Sequence, residues 1–189
     1  MRVVFIGNAF FDGAVFIGKS YFWGANFSEN AIFRKTIFNN SVSLSWCSVI
    51  RSIVFENVNL TNVSFLDSDP LKMNFMDCTW EQLHGRDVLS DEIVAREKET
   101  SFEKVEYLYR RLKQKYKEEH NEPEASNWHY GEKEMFRKKN RLRRYNPFSF
   151  SNLYWVSSGY GERPVRAGLM LILLFVAVTI LMGIFGLVP

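Results

Sequence analysis

The chain has 189 residues, 47% of them apolar and 24% charged, with a net charge of +3. That is enough apolar material for one domain or two small ones, while two cysteines and three scattered histidines exclude a zinc-ligand pattern. The small net charge hides a segregation: residues 1–80 balance six Lys/Arg against six Asp/Glu, whereas residues 137–166 carry eight Lys/Arg against the single acid Glu162.

From Phe5 to Trp80 one large apolar residue returns every five or six positions, at Phe5, Phe11, Phe16, Phe22, Phe27, Phe33, Phe38, Leu44, Val49, Phe55, Leu60, Phe65, Phe75 and Trp80. Two positions before most of these centres stands a smaller residue, as at Ala9, Ala14, Ser20, Ala25, Ala31, Thr36, Val42, Cys47, Ile53, Val58, Val63, Met73 and Cys78. Neither the 3.6 period of a helix nor the 2 period of a long strand fits such spacing. Residues two apart do share a face of a very short strand, so each small-x-large unit predicts one. Between units lie Asp12-Gly13, Trp23-Gly24, Ser28-Glu29-Asn30, Asn39-Asn40, Glu56-Asn57 and Thr61-Asn62, rich in residues that tolerate turns. A chain that keeps turning winds into a stacked coil, and its fixed period marks a solenoid. An eleven-residue apolar period also occurs in helical supercoils, which the Gly, Asn and Phe content opposes here. Up to Phe55 the spacing alternates five and six, which predicts an extra residue at alternate corners, and Asp69-Pro70-Leu71 interrupts the series.

These small-x-Phe and small-x-Leu units resemble the pentapeptide-repeat proteins. The resemblance implies a right-handed quadrilateral β-helix over residues 1–83, four units to a coil and about four turns, with Phe11, Phe16, Phe22, Phe27, Phe33, Phe38, Leu44, Phe55, Leu60, Phe65, Phe75 and Trp80 as its core. Some members of that family are acidic DNA mimics. The balanced charge of this coil argues against that role, and no nucleic-acid partner is expected. Cys47 and Cys78 fall in the inward column and are expected to act as compact apolar groups.

Residues 84–100 read as a connector, in part helical. A helical hairpin is expected over 101–144: Thr100-Ser101-Phe102-Glu103 has the form of a capping box, and Phe102, Val105, Tyr109, Leu112 and Tyr116 recur on one helical face. Glu122-Pro123 opens a second helix with Ala125, Trp128 and Met135 on its apolar side. This hairpin is expected to cover the coil's open strand edges.

Residues 145–166 crowd aromatic and basic side chains, and the segment is expected at a bilayer surface, its helix starting near Asn146-Pro147 and ending at Gly159. The interfacial residues are Arg141, Arg143, Arg144, Tyr154, Trp155, Arg163 and Arg166. Residues 167–188 carry no charge or proline and predict one transmembrane helix. The basic cluster on its N-terminal flank predicts a single-pass protein of the cell (inner) membrane with a cytoplasmic N-terminal domain. Ser158-Gly159-Tyr160-Gly161 precedes the span and reads as a turn rather than a channel filter. The tail, from Tyr109-Arg110-Arg111-Leu112-Lys113 through Arg163-Pro164, resembles prokaryotic membrane proteins in which a pentapeptide-repeat domain precedes an ion-channel-like pore, although the pore loop and second span are missing.

Two functions follow as expectations: a membrane-anchored, non-enzymatic scaffold for protein–protein interaction, or the cytosolic regulatory domain and first span of an ion channel. No paired-carboxylate, nucleophile-base or phosphate-loop pattern is present, so neither a catalytic site nor a cofactor or metal is expected. Phe5 already occupies a centre position, leaving no sequence for an N-terminal cap, and a homo-oligomer is expected alongside an unidentified protein partner.

Overall fold

The computed structural model describes residues 3–139, 146 and 148–186. They divide into two compact units, Met1–Lys139 and Asn140–Pro189.

The first unit opens with a β-solenoid. Its strands are mostly two residues long, because each small-x-large unit turns inward only twice before a corner: β1 (Val4–Phe5), β2 (Ala9–Phe10), β3 (Val15–Phe16), β4 (Ser20–Tyr21), β5 (Asn26–Phe27), β6 (Ala31–Arg34), β7 (Ile37–Phe38), β8 (Val42–Ser43), β9 (Ser48–Val49), β10 (Ile53–Glu56), β11 (Val63–Ser64) and β12 (Met73–Met76). They assemble into four parallel sheets, β1-β5-β9, β2-β6-β10-β12, β3-β7 and β4-β8-β11. Ala9 lies opposite Ala31, Ala31 opposite Ile53 and Ile53 opposite Met73, so successive layers are 22, 22 and 20 residues apart. The result is a coil of about three turns, not four. The Asp69-Pro70-Leu71 irregularity accounts for part of that shortfall. There the chain forms a 3₁₀ turn at Pro70–Lys72 instead of a fourth strand beside β9, and Lys72 donates to the Val49 carbonyl at 3.0 Å.

Two kinds of corner alternate. At the five-residue corners Gly13, Lys35, Asn57 and Asp77 form one column of left-handed residues, and Gly24, Trp46 and Asp67 another. The turn is closed by the N–H three residues after each centre, as from Ala14 to the Phe11 carbonyl at 3.1 Å and from Cys47 to that of Leu44 at 3.1 Å. A positive φ at the third turn position defines a type II turn. The six-residue corners carry the extra residue.

Inward side chains stack by layer. Phe11, Phe33, Phe55 and Phe75 run in one near-parallel column with ring centres 4.6, 5.2 and 5.6 Å apart, and Phe5 stacks on Phe27 at 4.8 Å. Phe27, Phe33, Phe38, Leu44, Phe55, Leu60, Phe65 and Trp80 are buried, while Phe11, Phe16, Phe22 and Phe75 are half-buried. Offset stacked and edge-to-face rings each add about 0.5–1.5 kcal/mol beyond burial.

An antiparallel hairpin, β13 (Glu81–Leu83) and β14 (Arg86–Val88), takes up the last residues of the expected coil and the first of the expected connector, turning on His84 and Gly85, both left-handed. Three helices come next: α1 (Ser90–Lys98), α2 (Phe102–Glu118) and α3 (Glu122–Lys139). The capping box does not form. Ser101 is itself left-handed and caps nothing with its side chain, and the Thr100 N–H is committed to the Ala95 carbonyl of α1. With Ser101 left-handed, the N-cap position lacks the extended backbone from which a side-chain oxygen reaches the first turn of the helix.

Helices α2 and α3 pack antiparallel. Arg110 meets Glu132 and Lys139 meets Glu106, while Trp128 lies between Tyr109 and Tyr116 with ring centres at 5.8 and 6.4 Å. Trp128 also meets Trp80, the last coil centre, edge-on at 5.2 Å, so the hairpin closes the C-terminal end of the coil. It does so with help from α1: Asp91 accepts from the Ser64 hydroxyl at 2.6 Å and the Phe65 N–H at 2.8 Å, and Ser90 donates to the Val63 carbonyl. Those backbone groups belong to the last strand of their sheet and its flank, which has no further layer to pair with.

In the second unit a helix spans Phe150–Ser158 and a second Pro164–Ile184. The first starts later than Asn146, because Ser149 supplies the N-cap by accepting from Asn152 N–H at 3.3 Å. Gly159 ends it in a left-handed conformation. The apolar helix starts at Pro164 rather than residue 167, since a proline at the first turn lacks only an N–H that would find no partner there. Residues 187 and 188 of the expected span lie outside the described residues.

Candidate functional site

A two-residue strand with one inward residue presents its other side chain outward, so the coil's surface is written by the residues that flank the centres. The registers sort them into rows. One sheet shows Phe10, Ile32, Val54 and Asn74 to the outside; the next shows Val15 and Ile37. The remaining two are polar after their first layer: Val4, Asn26 and Ser48 on one, Tyr21, Ser43 and Ser64 on the other. An apolar strip therefore runs over two adjacent faces, with Phe10 64% exposed and Val15 and Ile37 about half exposed.

Between its two parts stands a charge ladder. Arg34 donates through Nε to Glu56 at 2.8 Å and faces Asp12 at 3.7 Å, one carboxylate in the layer below and one in the layer above. The hydrogen bond and charge of Glu56, then the charge of Asp12, raise the Arg34 guanidinium pKa. Exposed pairs of this kind are screened by solvent and add little stability.

The cysteines stand where the sequence placed them. The Cys47 thiol donates to the Phe22 carbonyl at 2.8 Å and that of Cys78 to the Phe55 carbonyl at 3.5 Å. Burial pushes the Cys47 thiol up to about 11, which suppresses the reactive thiolate.

A buried ionic cluster, which the sequence pattern did not reveal, joins the elements behind the coil. Glu92 has no exposed surface; it accepts from Arg86 at 2.6 Å, from Arg96 through Nε at 2.7 Å and from the Tyr109 hydroxyl. Arg86 comes from β14, Glu92 and Arg96 from α1 and Tyr109 from α2, so one carboxylate fastens three elements. The only hint in the sequence was Glu92 and Arg96 one turn apart on a helix. Each oxygen of Glu92 is occupied, which fits a structural clamp. Among the described residues no group of three or more His, Cys, Asp or Glu is arranged to hold a metal.

The expected interfacial residues separate into two sets. Arg141, Arg143 and Arg144 lie outside the described residues. Tyr154, Trp155, Arg163 and Arg166 fall together in the second unit: the Arg166 guanidinium sits 5.0 Å from the Trp155 ring centre, and the Tyr154 hydroxyl donates to the Tyr160 carbonyl at 2.8 Å. Gly159, Tyr160 and Gly161 are all left-handed, so the Gly-Tyr-Gly segment is a tight turn between two helices. The helix Pro164–Ile184 that follows is the one helix among the described residues long and apolar enough to cross a membrane. At 1.5 Å per residue it extends about 31 Å, close to the thickness of a hydrocarbon core.

Among curated proteins and among solved structures, none matches the chain. A family described as pentapeptide repeats (9 copies) matches residues 2–48, the segment that contains the first two layers of the coil. The N-terminal part of this chain is thus built of pentapeptide repeats, wound into a β-solenoid and followed by helices.

Proposed function

We propose that the protein is a non-enzymatic scaffold, anchored in the cell membrane by Pro164–Ile184, whose coil receives another protein on its apolar strip. The observation that carries this reading is the row Phe10, Ile32 and Val54 beside Val15 and Ile37, large apolar residues placed outward on strands whose inward positions already fill the core. Outward positions tolerate polar residues without loss of packing, so apolar ones there have no internal role. The occupant we favour is a second copy of the chain, since a membrane anchor confines copies to one surface and raises their effective concentration. The basic flank of the apolar helix favours a cytoplasmic coil.

The test is the mass of the detergent-solubilised full chain by light scattering, before and after Ile37→Lys, a change at an exposed position of the strip. The substitution is at the surface, so the melting temperature should hold. Wild-type oligomers that dissociate in the variant agree with the proposal. A wild-type monomer at tens of micromolar, or an oligomer untouched by the lysine, rules out self-association through this strip.

A further inference from the structure

We propose that the cleft between the Trp46 corner and the start of α2 binds a small organic cation, an ammonium or guanidinium compound. The cleft has a volume of about 660 Å³ and is lined by Trp46, Asp67, Asp69, Glu103, Lys104 and Tyr107 among others. That volume lies in the range of small-molecule sites, about 300–1,000 Å³.

Its most informative residue is Trp46. It occupies the left-handed corner column, with φ 58°, where the layer below carries Gly24. Its side chain is 59% exposed. A bulky residue on left-handed backbone is strained, and an indole left in water recovers little of that cost by burial. Departures from local preference without a packing return are characteristic of binding sites. Tyr107 brings a second aromatic ring, 48% exposed, from α2.

The charge of the cleft selects the sign of the ligand. Three carboxylates and one ammonium line it. Lys104 pairs with Asp67 at 2.8 Å, and Arg111, reaching in from the rim, donates to Asp69 at 3.1 and 3.2 Å. Glu103 has no ion-pair partner among the described residues, so one negative charge stays uncompensated. Arg111 also lies 5.9 Å from the Tyr107 ring centre, so the rim already shows a cation held between an aromatic face and a carboxylate. Trp46 and Glu103 offer the same two groups to a ligand, by cation–π attraction and charge pairing. The neighbouring Cys47 thiol points inward at the Phe22 carbonyl, which makes it wall and not nucleophile. The inference stands whether or not the coil binds a protein.

The probes are choline and agmatine, titrated at low salt into the full chain in detergent with 5-fluorotryptophan at its tryptophans. Loss of one fluorine resonance in Trp46→Gly assigns the reporter, and the unchanged Trp128 signal certifies the fold. The Trp46 resonance should move saturably with a dissociation constant in the millimolar range for one or both probes. Glu103→Gln, on an exposed turn of α2, should weaken binding by about threefold or more. Absence of a saturable shift at tens of millimolar overturns the proposal. So does an equal response to 3,3-dimethylbutan-1-ol, the uncharged isostere of choline, or full binding in Glu103→Gln.

Discussion

Phe33 shows what a single residue contributes to this architecture. It is fully buried and stacked between Phe11 and Phe55, so Phe33→Ala removes a ring that has neighbours in both layers. The cavity should cost about 3–5 kcal/mol. Phe5→Ala should cost less than half as much, because Phe5 is half-buried and stacks on Phe27 from one side only. The corner change Asn40→Ala, at an exposed position, should stay within about 0.5 kcal/mol. Urea melts of the three variants give the ordering, and equal losses would contradict the inward assignment. The inward residues were legible in the sequence, since a period of five or six fits neither a simple helix nor a long strand, and the turn residues between centres favour a coil over a helical supercoil. Trp46 was not, because a corner that carries glycine in one layer gives no sign of tolerating tryptophan in the next.

Among the elements, α1 is the one that sequence reasoning blurred into a connector. Nine residues of mixed charge have no clear apolar face, and the hairpin before it is too short for an alternation to register. Its role rests on Asp91. Burial pushes this carboxyl from 3.8 up to about 6, against the pull of hydrogen bonds from Ser64 and the Phe65 N–H. The folded chain thus holds a proton that the unfolded chain releases between those values. The associated stabilisation is fully present below the unfolded value and is lost as pH rises through about 6. From about pH 7 to about pH 5 the wild type should gain about 1 kcal/mol over Asp91→Asn, measured in paired urea melts. A constant difference between the two proteins would refute the assignment. Glu132 acts in a separate window: its burial opposes ionisation, but His129, Lys113 and Arg110 prevail and hold it below the usual carboxylate range. Its contribution is lost only as pH falls well below that range.

For the whole molecule, the apolar helix and the basic flank predict a topology. A reporter active only outside the cytoplasm, fused after Gly186, should give signal, and the same reporter ahead of the coil should be silent. The reverse pattern would overturn the cytoplasmic placement of the coil. Composition alone made the apolar helix readable, since length and lack of charge decide it. The ionic clamp around Glu92 lay beyond reach, because Arg86 and Tyr109 join Glu92 only once β14 and α2 fold against α1.

The 22-residue register of the first layers has a consequence for how such a chain can change length over generations. Layers 22 residues apart are interchangeable at their hydrogen-bonding edges, so duplicating residues 26–47 in frame would insert one more storey and leave the helices that close the coil unaltered. Inserting a single residue inside a strand, where no corner can absorb it, would instead turn the centre that follows away from the interior. Growth is therefore quantised, each duplication adding about 4.8 Å of height, and the coil serves as a ruler whose marks are written in the genome.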